Sequence, residues 1–295
     1  MANAYQWYPG HMMKARRMIE EDIRLIDLVI ELVDARIPLS SRNPDIDELS
    51  RGKARLILLN KADLADPAAT RAWEAYFEAQ GIRAVSLDSR KSGTAKRLLP
   101  VIMDACKERI ERNKRRGIKN RPMRTLIAGI PNVGKSTFIN SFAGKGVAKT
   151  GNKPGVTKGK QWIRLQKDLE LLDTPGILWP KQSDPSVGEK LAMIGSINDE
   201  ILEKQDLAAA ILRELVKRRP ESLMDRYGIE LPEKSENGPE FYASIFEKIA
   251  ESRKALKKGG ELDLEKAVLI VIDDFRKGQF GRITLDDVPE EESGK

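Results

Sequence analysis

Residues 124–143 leave little choice of fold. An apolar run, Arg124–Ile130, passes without a break into the turn Gly129-Ile130-Pro131-Asn132-Val133-Gly134-Lys135-Ser136 and then into an amphipathic stretch from about Lys135 to Ala143. A strand, a GxxxxGK[ST] turn and a helix in that order form a phosphate loop. The glycines let backbone N–H groups curl around phosphate oxygens with no Cβ in the way, and the following helix points its positive end at the same anion. Lys135 then reaches the β- and γ-phosphates, and the Ser136 hydroxyl is placed to ligate Mg²⁺. Asn132, Val133, Gly134 and Thr137 complete the expected phosphate-binding set. The motif alone does not separate ATP from GTP.

The rest of the chain fits an α/β domain followed by helices. Six short apolar runs read as strands: Leu28–Val33, Ala54–Leu59, Arg83–Leu87, Arg124–Ile130, Gln161–Leu165 and Leu169–Leu172. Several alternate with helical stretches, which predicts a mostly parallel sheet covered on both faces. Lys14–Leu25, the stretch bearing Trp73, Tyr76 and Phe77, and Leu98–Ile110 read as helices. The character changes after Gly176, where Pro180, Asp184 and Pro185 mark a linker. Beyond it apolar residues recur at helical spacing, as in Leu207, Ala210, Ile211 and Leu215, or Phe241, Ile245, Phe246 and Ile249, or Ala267, Ile270, Val271 and Asp274-Phe275. The expected division is 1–178 for the α/β domain, 179–185 for a linker, 186–282 for an all-helical domain and 283–295 for an acidic tail. Asp286–Lys295, poor in apolar residues, reads as frayed.

Composition narrows the function classes. The 295 residues carry a net charge of +7, which suits a polyanionic partner such as nucleic acid but also fits a merely basic protein. One cysteine, Cys106, excludes an internal disulfide and a Cys-rich zinc site, and accords with a reducing cytosol. The N-terminus has no apolar signal core, and no run of about 18 apolar residues occurs. Lys107–Arg124 is the densest basic stretch, read either as a solvated helix end or as a nucleic-acid phosphate contact. Lys217-Arg218-Arg219, Arg253-Lys254 and Lys257-Lys258 offer the same two readings. Aromatics at 5% give little sign of base-stacking platforms.

A second motif narrows the nucleotide. Asn60-Lys61-Ala62-Asp63 follows directly on an apolar strand, at the end of the sheet where α/β folds place ligand contacts. An aspartate there can accept from both the ring N–H and the exocyclic amine of guanine, a donor pair that adenine lacks. Asn60 can brace the loop and the Lys61 stem can lie over the base. Four residues are a weak signal alone and a strong one beside a phosphate loop.

Two further elements complete a nucleotide site. Asp173-Thr174-Pro175-Gly176 follows a strand, so Asp173 would hold the Mg²⁺ shell and the Gly176 N–H would meet the γ-phosphate. Thr157, in the loop Pro154-Gly155-Val156-Thr157, is the natural second hydroxyl ligand for Mg²⁺. Ile177 stands where Ras-like enzymes place a water-orienting glutamine. Isoleucine cannot orient water, so either intrinsic hydrolysis is slow or another group or a partner supplies that function.

The order of these motifs is base reader, phosphate loop, Thr157, then Asp173–Gly176, whereas ordinary small GTPases begin with the phosphate loop. The chain thus resembles the circularly permuted YlqF/YawG-type GTPases. Trp7-Tyr8-Pro9-Gly10-His11-Met12-Met13-Lys14-Ala15, Asp34-Ala35-Arg36-Ile37-Pro38 and Asn152–Thr157 are similar to that family too, over Tyr5 to about Gly281. The resemblance implies a Ras-like three-layer P-loop domain with a C-terminal helical module for RNA. It also implies a cytoplasmic, Mg²⁺-dependent GTPase acting late in assembly of the large ribosomal subunit, whose precursor, rRNA and ribosomal proteins are the partners. The family's histidine maps onto His11, expected to orient the attacking water. Its potassium-associated asparagine maps onto Asn132, and its guanine-carbonyl contact onto the loop at Ser86. A monomer is favoured. The runner-up is an RNA-binding checkpoint protein that uses GTP occupancy as a switch with negligible chemistry, and a general ATPase or kinase is third.

Overall fold

The computed structural model describes residues 20–91, 93–118, 121–144, 161–167, 169–173, 184–197, 203–232 and 238–290. The chain divides into two compact units. One is the α/β part through residue 173, joined by the residues from Asp286 onward, and the other spans Asp184–Leu285.

Six strands form the sheet of the first unit: β1 (Leu28–Asp34), β2 (Ala54–Asn60), β3 (Arg83–Ser86), β4 (Met123–Gly129), β5 (Gln161–Gln166) and β6 (Leu169–Asp173). Their spatial order is β3-β2-β1-β4-β6-β5. All neighbours run parallel except β5 and β6, a hairpin pair. All seven residues of β1 are buried, as a central strand covered on both faces requires. Strand side chains alternate between faces. On the odd-numbered face of β1, one apolar cluster gathers Val29 with Ile46, Leu126 and Leu172, and a second gathers Val33 with Ile57, Leu59, Trp73 and Phe77.

Helices α1 (Pro44–Leu49), α2 (Pro67–Ala79), α3 (Thr94–Ala105), α4 (Lys107–Arg115) and α5 (Lys135–Ala143) flank the sheet. The start of α2 is written locally. Asp66 caps it by accepting from the Ala68 and Ala69 amides, and Pro67 occupies the first turn where its missing N–H is no loss. The single helix expected over Leu98–Ile110 is two helices. Cys106, at φ −92° and ψ 0°, ends α3 and starts α4. This places Arg109 Nε 3.1 Å from Asp27 Oδ1. The predicted helix Lys14–Leu25 is described only from Glu20 onward, where Glu20–Asp22 are α-helical and Ile23–Leu25 form a 3₁₀ turn.

The second unit holds α6 (Pro185–Met193), α7 (Lys204–Arg218), α8 (Pro220–Tyr227), α9 (Pro239–Ser252) and α10 (Leu264–Arg276). α6, α8 and α9 each begin on a proline. Leu207, Ala210, Ile211 and Leu215 line the buried face of α7, which packs on α10 through Ala267, Val271 and Phe275. Arg276 donates to the Ala192 and Met193 carbonyls at 2.7 and 3.2 Å, satisfying the open C-terminal end of α6.

The end of the chain is not frayed where it begins. Asp286 is buried, and its carboxylate accepts from the Leu39 amide at 2.9 Å and from the Ser40 amide and hydroxyl at 2.7 Å each. Its carbonyl accepts from Trp73 Nε1 at 3.3 Å, and Val288 packs on the Trp73 cluster. The sequence shows an acidic run with few apolar residues, and nothing local announces that its first carboxylate has backbone amides to receive.

Candidate functional site

The site forms where β2, β1 and β4 end side by side. Leu32 lies opposite Gly129 and Asp34 opposite Asn60, so the phosphate loop and the base-reading loop leave the same edge of the sheet with one strand between them.

The phosphate loop owes its path to two glycines. A Cβ on Gly129 would lie 2.8 Å from the Leu32 carbonyl oxygen, a backbone atom that cannot give way. Gly134 sits at φ +98°, and a Cβ there would lie 2.5 Å from Asn60 Nδ2. Asn132 adopts φ +59°, a left-handed conformation that asparagine tolerates better than most residues. Positive φ at Asn132 and Gly134 turns successive peptide planes, the kind of backbone that gathers N–H groups into an anion-binding concavity. Gly134 is then the N-cap of α5, and Lys135, Ser136 and Thr137 are its first residues. Lys135 is 7% exposed, Ser136 and Thr137 are half-buried, and Asn132 is exposed.

Asn60 ties the two loops together. Its Nδ2 donates to the Val133 carbonyl at 2.7 Å, and its Oδ1 accepts from the Ser89 hydroxyl at 2.6 Å and the Ser89 amide at 3.0 Å. The residue is 2% exposed. Its side chain therefore sets the spacing between the base-reading and phosphate-binding halves, a bracing role that the sequence anticipated only in outline.

Lys61 and Asp63 present the rest of the base reader. Lys61 stands at φ +59°, unusual for a residue with a long side chain. Its Nζ lies 3.0 Å from Asp34 Oδ2. Burial pushes the Lys61 ammonium below its ordinary range, against the charge of Asp34. Asp63 Oδ2 accepts from Arg90 Nη2 at 2.6 Å, while Asp63 Oδ1 is buried and has no hydrogen-bond partner. A buried carboxylate oxygen without a donor is costly in a finished fold and leaves an acceptor with capacity to spare.

The remaining expected residues are placed as follows. Ser86 ends β3, where its amide donates to Glu74 Oε1 at 2.6 Å and its carbonyl accepts from Arg97. Ser89, three residues on, is the serine that reaches Asn60. The signal that finds it is chemical: a buried asparagine oxygen bracing a loop needs hydroxyl or amide donors, and Ser89 offers both. Asp173 closes β6, whose Leu172 lies opposite Leu126 of β4, so its backbone joins the same edge of the sheet as the phosphate loop. Ser136 opens α5 at that edge. Ser136 and Asp173 supply a hydroxyl and a carboxylate, residue types that suit Mg²⁺, which takes few protein ligands and keeps its waters. Among the described residues no group of three His, Cys, Asp or Glu side chains could hold a metal by itself. His11, Thr157, Gly176 and Ile177 lie outside the described residues, as does the Trp7–Ala15 segment.

The basic clusters divide. In Lys107–Arg124, Arg109 and Arg121 are spent on the buried Asp27 at 3.1 and 3.2 Å, while Arg112, Lys114, Arg115 and Arg116 are exposed. In the helical unit, Arg218 donates to Glu214 and to the Leu285 carbonyl, Arg219 to the Arg282 carbonyl and Arg253 to the Arg226 carbonyl. Lys217, Lys254, Lys257 and Lys258 are exposed.

Comparison with known proteins decides the family. The ribosome biogenesis GTPase A of Bacillus licheniformis is 47% identical over 281 residues, 95% of this chain and 97% of that protein. The chain belongs to the ribosome biogenesis GTPase A family. The family member of Thermotoga maritima is 35% identical over 280 residues, 95% of this chain and 93% of that protein. YlqF of T. maritima, solved with GNP bound, superposes with a TM-score of 0.61 over 92% of this chain and 97% of that one, at 30% identity. A GDP-bound structure of YlqF gives 0.63 over 92% and 98%. The family model described as a 50S ribosome-binding GTPase matches residues 124–234. That match begins at the phosphate-loop strand and leaves the base reader upstream of it, as a permuted motif order requires. Membership places this α/β chain with its helical C-terminal region among the GTP hydrolases of ribosome assembly, a family that generally uses Mg²⁺. Among the described residues no helix is long and apolar enough to cross a membrane.

Proposed function

We propose that this ribosome biogenesis GTPase A family member binds a large-subunit precursor in its GTP state, hydrolyses GTP when that particle matures, and leaves as the GDP form. The observation that carries the nucleotide part is the lock between Asn60 and the Val133–Gly134 turn, which fixes a base reader and a phosphate loop at one sheet edge. In this reading Asp63 takes the guanine donors, Lys61 covers the base and Ser89 braces Asn60. The backbone from Asn132 to Gly134 and the start of α5 from Lys135 to Thr137, with Gly176, receive the phosphates. Ser136, Thr157 and Asp173 would hold Mg²⁺, which would neutralise phosphate charge. Asn132, exposed at φ +59°, is offered as a K⁺ contact. His11 orients the attacking water in place of a glutamine, since Ile177 cannot.

The exposed cations Arg112, Lys114, Arg115 and Arg116 at the end of α4, and Lys254, Lys257 and Lys258 in the helical unit, support contact with rRNA phosphate in the cytoplasm. The proposal is tested by single-turnover GTP hydrolysis with and without purified large-subunit precursor, in Na⁺ and in K⁺, for the wild type, Lys135→Ala and His11→Ala. Lys135→Ala loses nucleotide binding by about a hundredfold or more, since a charge-assisted phosphate contact is removed. His11→Ala keeps GTP affinity and loses stimulation by the particle. Hydrolysis that the precursor does not accelerate would favour the checkpoint reading, in which occupancy alone is the signal.

A further inference from the structure

We propose that Asp34, clamped by Arg36, is a positioning residue for the base reader: it anchors the Lys61 ammonium from behind and so holds the lysine stem where guanine stacks. The inference rests on the GTP-binding reading above and assigns a role to the Asp34-Ala35-Arg36 turn, which is not part of the base-reading motif itself.

The geometry is specific. Asp34 is wholly buried at the last position of β1, directly opposite Asn60. Its Oδ1 accepts from the Arg36 amide at 3.1 Å and from Arg36 Nε at 2.9 Å. Its Oδ2 accepts from Arg36 Nη2 at 2.8 Å and lies 3.0 Å from Lys61 Nζ. The fork of Arg36 fixes the plane of the carboxylate, as bidentate pairs do, and leaves one oxygen edge for the lysine. The backbone joins the same elements, since the Ala35 amide donates to the Asn60 carbonyl at 2.8 Å. The Asp34 amide donates to Ser41 Oγ, which in turn donates to the Ile37 carbonyl, closing the turn.

A purely structural role accounts poorly for this arrangement. Two cations share one buried anion, and Arg36 Nη1 is itself buried with no hydrogen-bond partner. Buried charge with an unmet donor is expensive for a fold, and a lysine at φ +59° adds backbone strain. Strain held in place by surrounding structure is characteristic of ligand clamps. Lys61 gains from it: a flexible four-carbon stem becomes a fixed apolar platform, because both its ends are held. Pre-ordering the stem removes an entropy cost that guanine binding would otherwise carry.

The test uses the full-length protein with GDP as the probe and ADP as the control. Asp34→Asn keeps the shape and loses the charge. It is expected to weaken GDP binding by about tenfold or more, as the loss of a charged buried hydrogen bond does. The loss should fall on KM for GTP far more than on the single-turnover rate at saturation. Lys61→Met keeps the apolar stem and removes only the anchor, and it should weaken GDP binding as Asp34→Asn does. The double variant should be no weaker than the weaker single variant. Melting of the nucleotide-free proteins identifies any variant that fails to fold, and Lys61→Met decides the matter if Asp34→Asn is one. GDP binding by Lys61→Met equal to wild type, or losses that multiply in the double variant, would overturn the inference. A wild type that binds neither GDP nor GTP would instead overturn the GTP-binding reading on which it rests.

Discussion

Two buried aspartates, one in each unit, are built alike and serve different ends. Asp34 and Asp274 each receive the Nε and Nη2 of a single arginine, Arg36 in one case and Arg226 in the other, and each takes a third donor on Oδ2. At Asp274 that donor is the Tyr227 hydroxyl at 3.1 Å, so the carboxylate joins the end of α8 to α10. Burial and the Asp274 charge push the Tyr227 hydroxyl far above its ordinary range, which keeps it a neutral donor. At Asp34 the donor is a second cation on a strained backbone, and one arginine nitrogen is left unmet. The helical site satisfies its partners with a neutral hydroxyl and stabilises packing. The sheet site stores charge and strain, and lies beside the nucleotide loops. The same pair of residue types is thus read by its third partner.

The largest effect that can break this comparison belongs to the helical site. Asp274→Ala leaves the buried Tyr227 hydroxyl and the half-exposed Arg226 without their acceptor and is expected to cost the helical unit about 2–4 kcal/mol. Urea unfolding followed by circular dichroism measures it, and GDP affinity of the folded protein should stay at the wild-type value. A loss below about 1 kcal/mol, the range of a surface pair, would mean that Asp274 is not the staple described.

A third buried carboxylate sharpens the contrast. Asp286 accepts from two backbone amides and a hydroxyl rather than from cations. Asp286→Ala should lower stability by about 2–3 kcal/mol, since a charged acceptor of several buried donors is removed. Thermal unfolding reads this as a fall in Tm of the sheet unit, and truncation after Leu285 should lower it at least as far. Tyr227→Phe is milder. It deletes one hydrogen bond and keeps the ring packed edge-on to Phe280, so a loss near 1 kcal/mol is expected by the same urea titration.

The last effect is electrostatic and emerges only in acid. Burial alone would raise the Asp34 carboxyl, but the charges of Arg36 and Lys61 outweigh it and hold it well below the usual carboxylate range. The unfolded chain therefore takes up this proton first as pH falls. The stability contributed by Asp34 is complete above about pH 4 and is lost as pH drops below that value toward the depressed folded pKa. Stability measured from pH 5 down to pH 2.5 should fall less steeply for Asp34→Asn than for the wild type. Equal slopes would place the acid sensitivity on other carboxylates.

Much of this protein is legible in its sequence. All six strands lie within a residue or so of their apolar runs, and the central parallel ones are the clearest because a strand buried on both faces must be a near-continuous apolar segment. The phosphate loop and the base reader are equally legible, since each packs its chemistry into four to eight consecutive residues. The family resemblance carried by the permuted motif order is confirmed by close relatives over nearly the whole chain. Harder to read were the features that need a partner from afar. Nothing between Leu98 and Ile110 announces a break at Cys106, beyond which Arg109 reaches Asp27. Nothing in an acidic tail shows that Asp286 meets Leu39 and Ser40, some 246 residues away. The expectation for the loop at Ser86 concerned a backbone contact to the base, and nothing local announced that Ser89 in the same loop donates its hydroxyl to Asn60.

The sequence by itself determined the layers of the fold, the nucleotide motifs and their permuted order, because periodicity and short motifs are local properties of the chain. Only the tertiary structure decided which side chains brace those motifs. Hydrogen bonds such as Asn60 to Val133 and ion pairs such as Lys61 to Asp34 depend on strand order and register. Strand order is settled by packing across the whole sheet, which no local pattern of residues encodes.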